Sequence, residues 1–167
     1  GDLGTYLNAG PLARLIGHGV LERELGVDPA PLLADWPPIP HTDSQQALAA
    51  RLAREAGSLA VRRHAGSLRE VFLPEGRRRY AQGKDLTEAG TLIATGGALT
   101  RLEGRRGVLA ALRDLNTSGR MLYPKPGALR VLSDRRYLMA ALGVLSREHP
   151  QAALHMLLDS LAEETLS

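Results

Sequence analysis

Apolar residues recur along the chain in two rhythms, one helical and one alternating. Pro11 suits the first position of a helix, and Leu12, Leu15 and Ile16 follow at helical spacing. Gly17 and Gly19 weaken the middle of that helix, and Gly26 closes it. Asp28-Pro29 caps a short helix through Trp36, after which Pro37-Pro38-Ile39-Pro40 forms a stiff linker that cannot be helix interior. Thr42-Asp43-Ser44-Gln45 fits a capping box, and behind it Leu48, Leu52, Ala56 and Leu59 make the apolar stripe of a long helix ending near Gly66.

The period then changes. Residues 68–73 and 77–81 read as two antiparallel strands around the turn Pro74-Glu75-Gly76, because that turn is too short for a crossover. Arg77, Arg78 and Arg79 mark the second strand as an exposed edge. Residues 91–95 form a buried-strand pattern closed by Gly96-Gly97, with a helix starting at Ala98. Val108, Leu109, Leu112 and Leu115 line another helix, and 128–132 is a further strand. Asp134 is placed to cap a helix that turns Tyr137, Leu138, Ala141, Leu142 and Leu145 inward. His149-Pro150 breaks it, and Leu154, Leu157, Leu158 and Leu161 line the last helix. Strands interleaved with helices predict an α/β protein in which the four strands share one central, mixed sheet flanked by helices.

Composition narrows the class. The 167 residues are 44% hydrophobic, which rules out a disordered chain and is enough for one core. No cysteine is present, so disulfides and thiol catalysis are excluded. The formal charge of +3 does not mark a nucleic-acid binder. It is uneven, however: residues 51–106 hold 12 basic and 6 acidic side chains, leaving 9 and 12 elsewhere. A basic middle could face phosphates or an acidic partner; the alternative is arginines solvated on helix and hairpin surfaces. No apolar run approaches the ~20 residues of a membrane span, and the chain opens on no signal peptide, so a cytoplasmic protein is expected. The opening Gly1-Asp2-Leu3-Gly4-Thr5 reads as internal to a domain, and the chain is expected to be a fragment.

Two segments carry candidate chemistry. In Thr91–Arg101, TLIATGGALTR, a buried strand runs into paired glycines and a helix. Such a turn brings bare backbone close to a ligand beyond the carboxyl end of a strand, although a tight strand–helix turn would need the same residues. It is neither a P-loop nor GxGxxG. In Asp2-Leu3-Gly4-Thr5, the carboxylate suits a hydrated magnesium ion, and Gly4 and Thr5 suit phosphate oxygens; a terminal turn would explain the tetrapeptide equally well. The histidines at 18, 41, 64, 149 and 155 have no zinc-site spacing. Ser58, Ser67, Ser118 and Ser146 lack a nucleophile-elbow context, which disfavours a serine hydrolase. Lys125, held between Pro124 and Pro126, could meet a phosphate but reads equally as a solvated lysine.

The order of these pieces resembles the C-terminal part of the glutamate mutase L (MutL, GlmL) family. Four segments carry the likeness: GDLGTYLNAG at 1–10, GKDLTEAGTLIATGGALTRL at 83–102, MLYPKPGALRVLSDRRYLMAALGVLS at 121–146 and HPQAALHMLL at 149–158. The resemblance implies a ribonuclease-H-like lobe of the actin-like, sugar-kinase and Hsp70-type ATPase fold. It also implies ATP and magnesium as ligands of the complete protein, none being expected in the fragment, and a reactivating chaperone for an adenosylcobalamin-dependent mutase such as glutamate mutase. On it, Asp2, Gly4 and Thr5 match the second phosphate loop, with Asp2 organising magnesium through water as the catalytic carboxylate. Thr95, Gly96, Gly97 and Ala98 match the adenosine motif.

The first phosphate loop of the superfamily, of the DxGST type, is absent from residues 1–167, as are the N-terminal lobe and the strand that should precede Asp2. The whole chain is therefore expected to be a single C-terminal lobe whose partners are mutase subunits, with no nucleic acid and no membrane. Oligomeric state and the particular mutase are not legible. A non-catalytic module docking on a mutase subunit is the alternative. A nucleic-acid binder is a distant third, lacking stacking aromatics and a base-reading motif.

Overall fold

A computed structural model describes residues 4–166. The expected helix 11–26 is two helices, α1 (Ala9–Ile16) and α2 (His18–Leu25), because Gly17 takes φ 97° and breaks the ladder between them. Leu12 and Leu21 are buried, but Leu15 faces solvent. Asp28 caps the short α3 (Pro29–Ala34) by accepting from Ala30 N. The capping box forms as expected at the start of α4 (Asp43–His64): Gln45 N donates to Thr42 Oγ1 at 3.2 Å, and Thr42 N donates back to Gln45 Oε1 at 3.2 Å.

Helix α4 organises the packing with two faces. Leu48, Leu52 and Ala56 close on Leu12, Ala13 and Leu21 beneath Trp36. Ala49 and Ala53 turn the other way, toward Val108 and Leu112 of α6 (Arg105–Arg113). Small residues let the helices approach closely, and a Cβ on Gly57 would lie 3.0 Å from Leu112. Leu109 of α6 then seats on the sheet against Ala94 and Val131. Each leucine so buried contributes on the order of 2 kcal/mol.

The sheet departs from the expectation in two ways. Strands β3 (Thr91–Ala94) and β4 (Arg130–Asp134) pair in parallel, as neighbours of one sheet. Strands β1 (Ser67–Leu73) and β2 (Gly76–Gln82) do pair antiparallel, but they make a separate two-stranded arm rather than joining the central sheet. Their place is taken by β5 (Leu161–Glu163), antiparallel to β4, which the sequence reads as the end of the last helix. The sheet is therefore mixed, with order β3-β4-β5 and helices beside it: an α/β protein.

The arm is solvent-exposed along all of β2, and Glu70 pairs with Arg77 and Arg79 across it. At its root the chain crosses itself: a Cβ on Gly66 would lie 2.5 Å from the Gln82 carbonyl oxygen, and one on Gly83 2.8 Å from Gly66 Cα.

After β3 comes the single turn α5 (Gly97–Thr100), and after β4 come α7 (Met139–Leu145) and α8 (Pro150–Ser160). Tyr137 and Leu138 stand before α7 rather than inside it. The last helix also departs from its expected inward stripe, since Leu154 and Leu158 face solvent. Among the described residues no helix is long and apolar enough to cross a membrane.

Candidate functional site

The two parallel strands end side by side, and the residues beyond their carboxyl ends form one connected group. Asp134, the last residue of β4, is fully buried and accepts four hydrogen bonds. Its Oδ2 takes Met139 N at 2.8 Å and the Thr95 hydroxyl at 3.2 Å. Its Oδ1 takes Leu138 N at 3.1 Å and the hydroxyl of Ser160. Burial pushes this carboxyl up, but the bonds from Ser160, Met139, Leu138 and Thr95 outweigh it and hold the group below the ordinary carboxylate value. With both oxygens engaged, Asp134 acts as a clamp between β3, β4 and α8 rather than as a free acid or base.

Thr95 holds the glycine turn through that clamp. Gly96 follows with φ 92° and ψ 148°, a conformation that L side chains rarely adopt, so glycine is required there by the backbone. Gly97 differs: its φ is unexceptional, and a Cβ would meet nothing within 4 Å. Protein packing therefore does not demand glycine at 97, and the open space beside it belongs to a cavity.

That cavity has a volume of about 420 Å³, within the range of small-molecule sites. Gly97, Ala98 and Arg101 line one part of it, Thr5 and Tyr6 another, and the Pro37–Pro40 segment a third. Trp36 ties two of these parts together by donating its indole N–H to the Thr5 carbonyl at 3.2 Å. Tyr137 also lines the cavity.

The structure thus brings Thr5, Gly97 and Ala98 to one cavity, with Thr95 and Gly96 shaping its turn and Gly4 next in chain to Thr5. Gly4 supports the opening turn by accepting from Asn8 N at 3.0 Å. Asp2 lies outside the described residues, so its magnesium role has no geometry here. Among the described residues, no three His, Asp or Glu side chains form a group able to hold a metal ion.

By sequence 37–40 is only a linker and Tyr137 lies on a helix. Three prolines around Ile39 were the available signal for a rigid apolar wall. Nothing local marks Ser160 as a partner of Asp134.

A second groove of about 630 Å³ runs between α4 and α6, lined by Arg51, Arg54, Glu55 and Arg62 among others. Arg51 there is already paired with Glu24 at 2.6 Å and Glu55 at 3.0 Å. The basic middle of the sequence is spread over α4, the arm and α6, as solvated and ion-paired side chains.

These features define an α/β protein with a cavity at the carboxyl ends of two parallel strands. The chain matches the family described as MutL protein over residues 1–161, and it belongs to that family. Protein MutL of Clostridium tetanomorphum is 26% identical over 120 residues, covering 71% of this chain and 25% of that protein. The chain thus corresponds to about a quarter of the length of that relative. No solved structure matches.

Proposed function

We propose that the chain is the C-terminal, ribonuclease-H-like lobe of an actin-like ATPase, and that its cavity takes the adenosine side of ATP. The observation that carries this reading is the meeting of two distant segments in one cavity: Thr5 from the opening turn, and Gly97-Ala98 from the β3–α5 turn. The unfilled space at Gly97, with no packing reason for glycine, supports close approach of a ligand to bare backbone. Thr5 would face the phosphates and Gly97 the ribose and base, with Asp2 supplying the carboxylate for hydrated magnesium. Bound ATP would supply the energy of phosphoryl transfer, which depends on charge stabilisation from both sides of the phosphates.

Membership of the MutL family supports a role tied to glutamate mutase. The complete protein would be a chaperone that uses ATP to exchange damaged for intact cofactor on an adenosylcobalamin-dependent mutase. A phosphate-release assay tests this. The complete protein should turn ATP over slowly, Asp2→Ala should abolish turnover, and the 167-residue chain alone should fold without hydrolysing ATP. Robust turnover by the chain alone would overturn the assignment.

A second reading has its own observation. Val144, Leu154 and Leu158 on α7 and α8 are more than half exposed, which favours a docking face for a mutase subunit. Mutase binding by the complete protein with no nucleotide binding would favour that module.

A further inference from the structure

Tyr137 is the one non-glycine residue with positive φ among the described residues, at 56°. A bulky side chain is rarely held in that region unless its surroundings impose it. Here they do. Tyr137 N donates to the Asp134 carbonyl at 3.0 Å, and the next two amides, of Leu138 and Met139, are fixed on the Asp134 carboxylate. The turn is thus clamped at both ends, and its geometry leaves Tyr137 56% exposed as part of the cavity lining.

Exposure alone sets Tyr137 apart from neither Tyr6 nor Tyr80, but its left-handed backbone does, and strained positions held by their surroundings cluster at ligand sites. Two more large apolar side chains from separate segments, Ile39 and Tyr6, are also exposed at the same cavity. Among the described residues no acidic side chain lines it, and Arg101, the one cation of that lining, makes no ion pair. Exposed flat apolar surface beside an unneutralised guanidinium fits a ligand that is aromatic at one end and anionic at the other.

We propose that Tyr137 is the platform on which the base of a bound nucleotide stacks, and that its left-handed turn exists to hold the ring in that place. Arg101 at the rim meets the negative charge of the same ligand. This rests on the nucleotide reading of the cavity and goes beyond it, because it gives the base a recognition surface outside the glycine turn.

The test uses the complete protein, with ATP and inorganic tripolyphosphate as calorimetric probes. Tripolyphosphate keeps the charge and lacks base and sugar. Tyr137→Asn preserves a residue that tolerates positive φ, and should weaken ATP about tenfold, the scale of base–aromatic stacking. Tyr137→Phe should bind ATP as wild type does, and tripolyphosphate affinity should be the same in all three proteins. Equal ATP affinity in wild type and Tyr137→Asn would overturn the platform while leaving the nucleotide site standing. Equal losses for ATP and tripolyphosphate would also overturn it, because the effect would then lie in the phosphate region. Failure of wild type to bind ATP would overturn both readings. Loss of mutase binding in Tyr137→Asn with ATP affinity intact would make the cavity a protein-docking site and overturn the platform.

Discussion

Thr95 Oγ1 lies 3.2 Å from Asp134 Oδ2, a contact between residues 39 apart in sequence that joins the ends of two parallel strands. The relationship explains how a short glycine turn is held: the hydroxyl anchors it to a carboxylate that three other donors also fix. Asp134→Ala would leave those donors buried and unpaired, and should cost at least about 3 kcal/mol. Thr95→Val should cost about 1–2 kcal/mol. Urea denaturation of the chain measures both.

The same clamp sets a pH dependence. The Asp134 carboxyl is held below its unfolded value, so its contribution is complete above the unfolded pKa of about 3.9. It is lost as pH falls through the lower folded value. The urea midpoint of the wild-type chain should therefore drop more steeply than that of Asp134→Asn between about pH 5 and about pH 2.5. Parallel slopes would show that other carboxylates carry the acid sensitivity.

The two glycines of the turn should separate in their behaviour. Gly97→Val places its side chain in open space at an ordinary φ, so folding should be unchanged while ATP affinity of the complete protein falls. Gly96→Val imposes a side chain at φ 92°, and should destabilise the chain by about 1–3 kcal/mol. Thermal melts and nucleotide titration of both variants distinguish a backbone requirement from a ligand requirement.

Much of this arrangement is legible in the sequence where local chemistry decides it. Thr42 and Gln45 announce the start of α4, and both halves of their cap form. Gly96-Gly97 announces the end of β3, although only Gly96, at φ 92°, is required to be glycine by the backbone. What is not legible depends on partners remote in the chain. Leu161-Ala162-Glu163 continues a helical stripe by spacing, and becomes a strand only because β4 offers an unpaired edge. The 68–81 hairpin has every strand signal, but nothing in it states which sheet it joins. Tyr137 fits a helix by period; the Asp134 carboxylate, by claiming the next two amides, delays the helix and turns the residue left-handed.

Buried polar groups elsewhere make a contrasting pair of tests. Asn116 donates to the carbonyls of Met121 and Tyr123 at 3.1 and 2.7 Å and accepts from Met121 N at 3.2 Å, closing the loop before β4. Asn116→Ala should cost about 2–3 kcal/mol. Ser133, 1% exposed, has a hydroxyl with no hydrogen-bond partner among the described residues. Ser133→Ala should leave stability unchanged or raise it by up to about 1 kcal/mol. Urea midpoints measured on both variants check the contrast.

The crossing of Gly66 and Gly83 at the root of the arm limits how this chain can change over generations. Every single-base step from a glycine codon to another amino acid adds a Cβ, and at Gly66 that atom would fall 2.5 Å from a backbone oxygen. At Gly83 it would meet the other glycine's Cα at 2.8 Å, with φ 96° opposing it as well. Neither position has a one-step neighbour in the genetic code that fits, and a change at one does not make room for a change at the other. The arm beyond them is exposed along all of β2, and its one glycine, Gly76 at φ 119°, is the only position there with such a backbone restriction. Its surface is free to diversify while its point of attachment stays fixed.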